Sequence, residues 1–132
     1  MFFMDSAGVI EFERRRPAAL RFIERVLASL DQLFICDVVV AEVYSGRMRG
    51  TGPDVDQLLD SCTYVETTFA IAQAAGEYRY ALARRGIQVS ATDAIVAAAA
   101  RSVGAVLVTE NTRDFPMEDI TVLTLAAATV HR

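Results

Sequence analysis

The sequence predicts an α/β domain in which helices cover a parallel β-sheet. Short apolar runs typical of buried strands alternate with longer segments whose apolar residues recur at helical spacing. The chain has 132 residues, a length that fits one domain over residues 1–132 with a hydrophobic core. In residues 91–115, a helical pattern is followed by a turn and an apolar strand, with acidic residues at both outer ends.

The strands and helices can be placed in order from these patterns. An apolar run at residues 2–4 leads directly into Asp5, and Ser6 is a candidate cap for the helix that follows. Pro17 suits the first turn of the next helix. Asp37 is placed to cap the helix after the second strand. The predicted strands are 2–4, 33–36, 63–66, 105–108 and 120–125, and the predicted helices are 8–16, 17–30, 38–47, 54–61, 68–85 and 93–103.

The geometry of residues 91–115 brings two acidic positions together. Thr92 is predicted as the N-cap of the helix, Asp93 lies in its first turn, and Gly104 ends it. Eleven or so helical residues span roughly 16 Å, and five strand residues at about 3.3 Å each span a similar distance. The chain therefore runs down the helix and back up the strand. Asp93 and the loop 110–114 should both lie at the carboxyl end of the strands, where open α/β sheets place their sites.

Composition excludes several classes of function. The 13 basic residues are all arginine, against 17 acidic residues, so the formal charge is −4. A protein that binds nucleic acid through charge alone is usually basic, so any such role here needs local arginines or a metal ion. The absence of lysine excludes Schiff-base chemistry and a P-loop. The only histidine is His131, which argues against a Ser-His-Asp triad or a histidine-rich zinc site.

The cysteines and the hydropathy pattern indicate a cytoplasmic protein that does not enter membranes. Cys36 and Cys62 are not spaced as metal ligands and are interpreted as buried thiols in a reducing compartment. Asp5 interrupts the apolar start too early for a signal peptide, and Arg101 breaks the longest apolar stretch. The apolar fraction of 53% indicates an interface as well as a core.

Four carboxylates are predicted to meet at the carboxyl edge of the sheet: Asp5, Glu42, Asp93 and Asp114. Taken singly, three of them have simpler explanations as a helix cap, a helix-dipole partner and a turn residue. Glu42 lies among apolar neighbours, so it is predicted to sit in a largely buried helix, where a carboxylate needs a partner. Oxygen ligands without histidine or cysteine suit Mg²⁺ or Mn²⁺. Within the loop, Arg113 is the best candidate for a phosphate contact.

The order of four motifs resembles the PIN domains, specifically the VapC toxins of bacterial toxin–antitoxin pairs. These motifs are M-D-S at 4–6, V-A-E-V-Y-S-G at 40–46, S-A-T-D-A-I-V-A-A-A at 90–99 and V-T-E-N-T-R-D-F at 108–115. The resemblance implies a three-layer fold with helices on both faces of a five-stranded parallel sheet in the order 3-2-1-4-5. It also implies Mg²⁺- or Mn²⁺-dependent cleavage of RNA, a homodimer and inhibition by a cognate antitoxin.

The resemblance also implies roles for individual residues. Asp5, Glu42, Asp93 and Asp114 match the family's catalytic and metal-binding acids. Ser6 matches a small hydroxyl residue that orders the site, and Asn111 matches the asparagine before the last acid. At Glu110 this chain departs from the family, which commonly has a basic residue there, and a fifth carboxylate at the site becomes an open alternative.

Three functions are compatible with the sequence. The first is a metal-dependent endoribonuclease, in which one acid or a metal-activated water supplies the base. The second is a PIN-like module that only binds RNA or a protein partner. The third is a phosphoacceptor or phosphatase, against which the absence of lysine and the presence of Ala7 both argue.

Overall fold

The computed structural model describes residues 1–132, which form a five-stranded parallel sheet surrounded by helices. The strand order is β3-β2-β1-β4-β5, and all four neighbouring pairs are parallel. The predicted fold class and strand order are thereby confirmed. The strands are β1 (Phe2–Met4), β2 (Leu33–Cys36), β3 (Thr63–Val65), β4 (Val106–Val108) and β5 (Val122–Leu123).

Seven α-helices and one 3-10 turn connect the strands. The helices are α1 (Ser6–Glu13), α2 (Pro17–Ser29), α3 (Asp37–Ser45), α4 (Pro53–Ser61), α5 (Phe69–Ala83), α6 (Ala91–Ser102) and α7 (Leu125–Thr129), and the 3-10 turn is Thr112–Asp114. Helix α5 packs against α6, α2 packs against α7, and α1 contacts α2, α3 and α4. None of the helices combines the length and the apolar stretch needed to cross a bilayer.

The core lies around the central strand β1 and helix α6. All three β1 residues are buried, and Phe2 meets Phe22 of α2 edge to face with 5.2 Å between ring centroids. The alanines of α6 from 97 to 100 are buried, so this helix lies close against the sheet. A buried β1 fixes the position of Asp5, which is the next residue in the chain.

Five predicted helix starts differ from the observed ones by one or two residues, and in two of these helices the capping side chain is not the predicted one. Asp5 rather than Ser6 caps α1, since its carboxylate accepts from the Gly8 backbone N–H. Ser90 rather than Thr92 caps α6, accepting from the amide of Asp93 at 3.1 Å. Helix α3 begins at the residue predicted as its cap, Asp37, with Cys36 in the cap position.

The C-terminal region differs most from the prediction. The sequence predicts a strand over residues 120–125, but only Val122 and Leu123 pair with β4. Thr124 then caps the short helix α7 by accepting from the Ala127 backbone N–H at 3.2 Å. Both cysteines are free; Cys36 is buried as predicted, whereas Cys62 is only half-buried.

Candidate active site

Asp5 is the buried centre of the candidate site. It follows β1 directly, and only 6% of its surface is exposed. One carboxylate oxygen accepts from the Gly8 N–H at 3.2 Å, and the other accepts from the Thr109 hydroxyl at 2.7 Å. Burial raises the pKa of Asp5 from 3.8 to about 6; the two hydrogen bonds oppose this rise, and the charges of Asp93 and Glu42 add to it.

Glu42 reaches the site from α3 and is linked to Ser6. The Ser6 hydroxyl donates to Glu42 Oε1 at 3.0 Å, which ties α3 to the start of α1. The prediction that Glu42 is set in a largely buried helix is wrong, because the side chain is exposed. Helix α3 buries only the face formed by Val39 and Val43, four residues apart, and Glu42 lies beside that face.

Asp93 lies in the first turn of α6, as predicted from the sequence. Partial burial raises its pKa; the Ser90 side chain opposes this rise, and the charge of Asp114 adds to it. The carboxylate of Asp5 is therefore repelled by those of Glu42 and Asp93. The carboxylate of Asp93 is in turn repelled by that of Asp114. The four acids predicted from different parts of the chain are electrostatic neighbours, and we refer to them together as the acidic site.

The loop after β4, which we call the site loop (residues 110–114), carries the remaining predicted residues. Asp114 ends the 3-10 turn, and its amide donates to the Asn111 carbonyl at 3.0 Å. Asn111, Arg113 and Asp114 are all exposed, so their side chains are accessible to a substrate. Phe115 is buried and fixes the end of the loop.

The carboxylate of Glu110 binds the start of α7. Its Oε1 accepts from the Leu125 backbone N–H at 2.8 Å, at the start of α7. The structure therefore gives this carboxylate a partner in the C-terminal helix, which the sequence did not predict.

The donor chemistry of the acidic site fits a hard divalent cation. Asp5 keeps unused lone pairs, since a carboxylate can accept about four hydrogen bonds and this one accepts two. A cation beside a buried carboxylate also offsets the cost of its burial. No three histidine, cysteine or acidic side chains in this structure lie close enough to ligate one ion together. Ionised carboxylates repel one another, and a cation between them would offset that repulsion.

Two residues of the site were not recognised as such from the sequence. Thr109 is fully buried; its hydroxyl donates to Asp5 and accepts from the Asn111 amide at 3.0 Å. Ser90 orders the start of α6 beside Asp93. The signal for Thr109 was a hydroxyl residue at the end of an apolar strand, and the signal for Ser90 was a serine three residues before an acid.

The comparisons with known proteins agree with this architecture. A family model described as "PIN domain" matches residues 3–120. The tRNA(fMet)-specific endonuclease VapC of Shigella flexneri is 29% identical over 119 residues, covering 86% of this chain and 89% of that protein. The ribonuclease VapC2 of Haemophilus influenzae is 27% identical with the same coverage.

Solved structures show the same fold. VapBC2 from Rickettsia felis, bound to a DNA fragment from its promoter, superposes with a TM-score of 0.79 at 20% identity, covering 94% of this chain and 98% of that chain. VapBC-1 from nontypeable Haemophilus influenzae also gives 0.79, at 23% identity, covering 95% and 98%. The resemblance to VapC-type proteins predicted from the motifs is confirmed. The chain belongs to the PIN-domain family.

Proposed function

We propose that this protein is a Mg²⁺- or Mn²⁺-dependent endoribonuclease and the toxin of a toxin–antitoxin pair. The observation that carries the proposal is the buried carboxylate of Asp5 at the end of the central strand. The charges of Glu42 and Asp93 act on this carboxylate, and the charge of Asp114 acts on Asp93. Relatives of similar length are ribonucleases of the VapC type.

Asp5, Glu42, Asp93 and Asp114 would hold the ion and draw together around it. Bound there, a divalent cation would polarise a phosphodiester, acidify a water molecule and stabilise the leaving oxygen. Thr109 and the Gly8 amide fix both oxygens of Asp5, so its lone pairs have a defined direction. Ser6 holds Glu42 in the same way. A carboxylate whose pKa lies near neutrality can also accept the proton of an attacking water.

Arg113 is the residue proposed to contact RNA phosphate. It lies in the site loop between Asn111 and Asp114, and it takes part in none of the protein's ion pairs. By contrast, Arg15 and Arg85 pair with carboxylates of this chain. An exposed arginine without a partner can bind a phosphate bidentately.

The test of the function is cleavage of single-stranded RNA by the purified protein. We expect internal cleavage with Mn²⁺ or Mg²⁺, loss of cleavage with excess EDTA, and its return when the metal is restored. Cleavage that persists in EDTA would contradict the metal dependence. A protein that binds RNA but does not cut it with either metal would support the binding-module alternative instead.

We further propose that a cognate antitoxin blocks the acidic site with a basic side chain. An arginine can satisfy two carboxylate oxygens at once and displace a metal ion. An apolar cavity of about 520 Å³ between α1, α2 and α4 suits an amphipathic segment of the same partner, and its rim includes Leu27 and Leu30, which are 68% and 92% exposed. Helix α1 begins next to Asp5 and ends beside this cavity, a distance of roughly 12 Å for eight residues.

Inhibition should depend on that basic residue. We expect its replacement by alanine in the antitoxin to restore RNA cleavage while the two proteins still co-purify, because the apolar contacts remain. The measurement is cleavage by the purified complex beside that of free toxin. Unchanged inhibition would show that blocking comes from elsewhere on the surface.

A homodimer is also proposed, on the basis of apolar side chains left exposed on α5. Phe69 and Tyr80 are 85% and 66% exposed, which is unusual for aromatic residues of a monomer. Burying them against a second copy would remove this apolar surface from water.

A further inference from the structure

We propose that Glu110 is a positioning residue that holds the site loop against helix α7. Its carboxylate accepts the backbone N–H of Leu125, the first residue of α7, at 2.8 Å. An oxygen at this place accepts from a backbone N–H that has no intrahelical partner, because it lies in the first turn of a helix. Any effect on RNA cleavage rests on the proposed function, whereas the contact itself does not.

Helix α7 is a fixed support rather than a loose tail. Leu125 and Ala128 are buried, and the helix packs against α2. Arg25 of α2 donates to the Ala128 carbonyl at 3.2 Å and also to the His131 carbonyl. The same guanidinium lies 4.8 Å from the centre of the Phe2 ring, which belongs to the central strand. Glu110 thus links the site loop to an element that is anchored in the core.

The position of Glu110 in the chain explains why this link matters for the site. The residue before it, Thr109, donates to Asp5, and the residue after it, Asn111, donates its amide to the Thr109 hydroxyl. One hydroxyl therefore joins the buried acid to the site loop, and Glu110 lies in the chain between Thr109 and Asn111. If Glu110 loses its hold on α7, the Asn111 amide can move away from Thr109, and the hydroxyl then loses the contact that orients it toward Asp5.

The alternative role for Glu110 is that of a fifth metal ligand, and two substitutions separate the roles. Glutamine keeps an oxygen that can accept from the Leu125 amide but removes the charge. Alanine removes both. A positioning role requires the oxygen, whereas a ligand role requires the charge. Glu118 is a matched control, because it lies on the β4–β5 connection and is bound only to Arg85 in an exposed pair.

The experiment combines kinetics, metal binding and amide exchange on the full chain. For Glu110→Ala we expect kcat to fall about tenfold or more, with KM and the Mn²⁺ dissociation constant within about threefold of wild type. Amide hydrogen exchange at Leu125 and Asn111, followed by NMR, should accelerate by about fivefold or more. Glu110→Gln should restore kcat and both exchange rates to near wild type, and Glu118→Ala should match wild type throughout.

The outcomes that would overturn the proposal are distinct. Equal damage by Gln and Ala, with weaker Mn²⁺ binding in both, would make Glu110 a ligand. Unchanged exchange at Asn111 in Glu110→Ala would show that the contact does not hold the loop. Faster exchange with unchanged kcat would restrict Glu110 to a structural role. Absence of cleavage by wild type would contradict the proposed ribonuclease function alone, because the exchange rates would still decide whether Glu110 holds the loop.

Discussion

Replacing Asp93 with asparagine is expected to reduce RNA cleavage by about a hundredfold or more, on the order of one lost metal ligand, while the fold is kept. Asparagine has nearly the same shape, so the change removes mainly the charge. The Ser90 cap bonds to the backbone of residue 93 and is therefore retained. The charge of Asp93 raises the pKa of Asp5, and the charge of Asp114 raises the pKa of Asp93. Asp93 therefore occupies the middle of the acidic site.

The measurement is kcat/KM for a single-stranded RNA at saturating Mn²⁺, with circular dichroism as the check on folding. Asp54→Asn is a matched control, because Asp54, like Asp93, lies in the first turn of a helix. Unlike Asp93, it is exposed and pairs only with Arg15. It should leave cleavage within about threefold of wild type, as surface charges seldom matter at a distance. Full activity of Asp93→Asn with intact structure would contradict the assignment of the acidic site.

The sequence predicts the positions of those site residues that directly follow a buried strand. The apolar runs before Asp5 and Glu110 are buried strands, and parallel strands place their carboxyl ends at one edge. Side-chain exposure was harder to predict. The run from Val38 to Val43 contains only one polar residue, Glu42, yet a helix against a sheet buries one face, so apolar neighbours did not make Glu42 buried.

The hydrogen bonds that link the site to the fold could not be predicted from spacing. Thr109 and Asp5 are 104 residues apart, and only the pairing of β1 with β4 brings them together. Helix α7 has five residues, fewer than two turns, and so gives no helical period; Thr124 and the apolar residues before it look like the end of a strand. The role of Glu110 depends on that helix and was hidden for the same reason.

Without metal, the stability of the protein is expected to fall as pH rises from about 4 to about 6. The pKa of Asp5 is raised from 3.8 to about 6 by burial, so the folded state binds more protons than the unfolded state over this range. The stability contributed by protonated Asp5 is therefore complete below pH 4 and lost above pH 6. A shift of this size corresponds to a loss of the order of 3 kcal/mol. Partial burial of Asp93 raises its pKa and acts in the same direction.

Adding Mn²⁺ should reverse this loss at pH 7.5, because an ion that binds only the folded state stabilises it by about 2.7 kcal/mol at a hundred times its dissociation constant. Thermal melts at pH 4.5 and 7.5, with EDTA or Mn²⁺, measure both effects. Asp93→Asn removes a carboxylate whose pKa is raised and whose charge repels Asp5. It should therefore melt higher than wild type in EDTA at pH 7.5 and gain little from Mn²⁺.

Asp31 and Asp119 have lowered pKa values, so their stabilising contributions are lost only as pH falls toward the acid limit and leave this window largely unaffected. Wild-type melting that is identical with and without Mn²⁺, together with an Asp93→Asn variant no more stable in EDTA, would show that the four carboxylates do not act as one site.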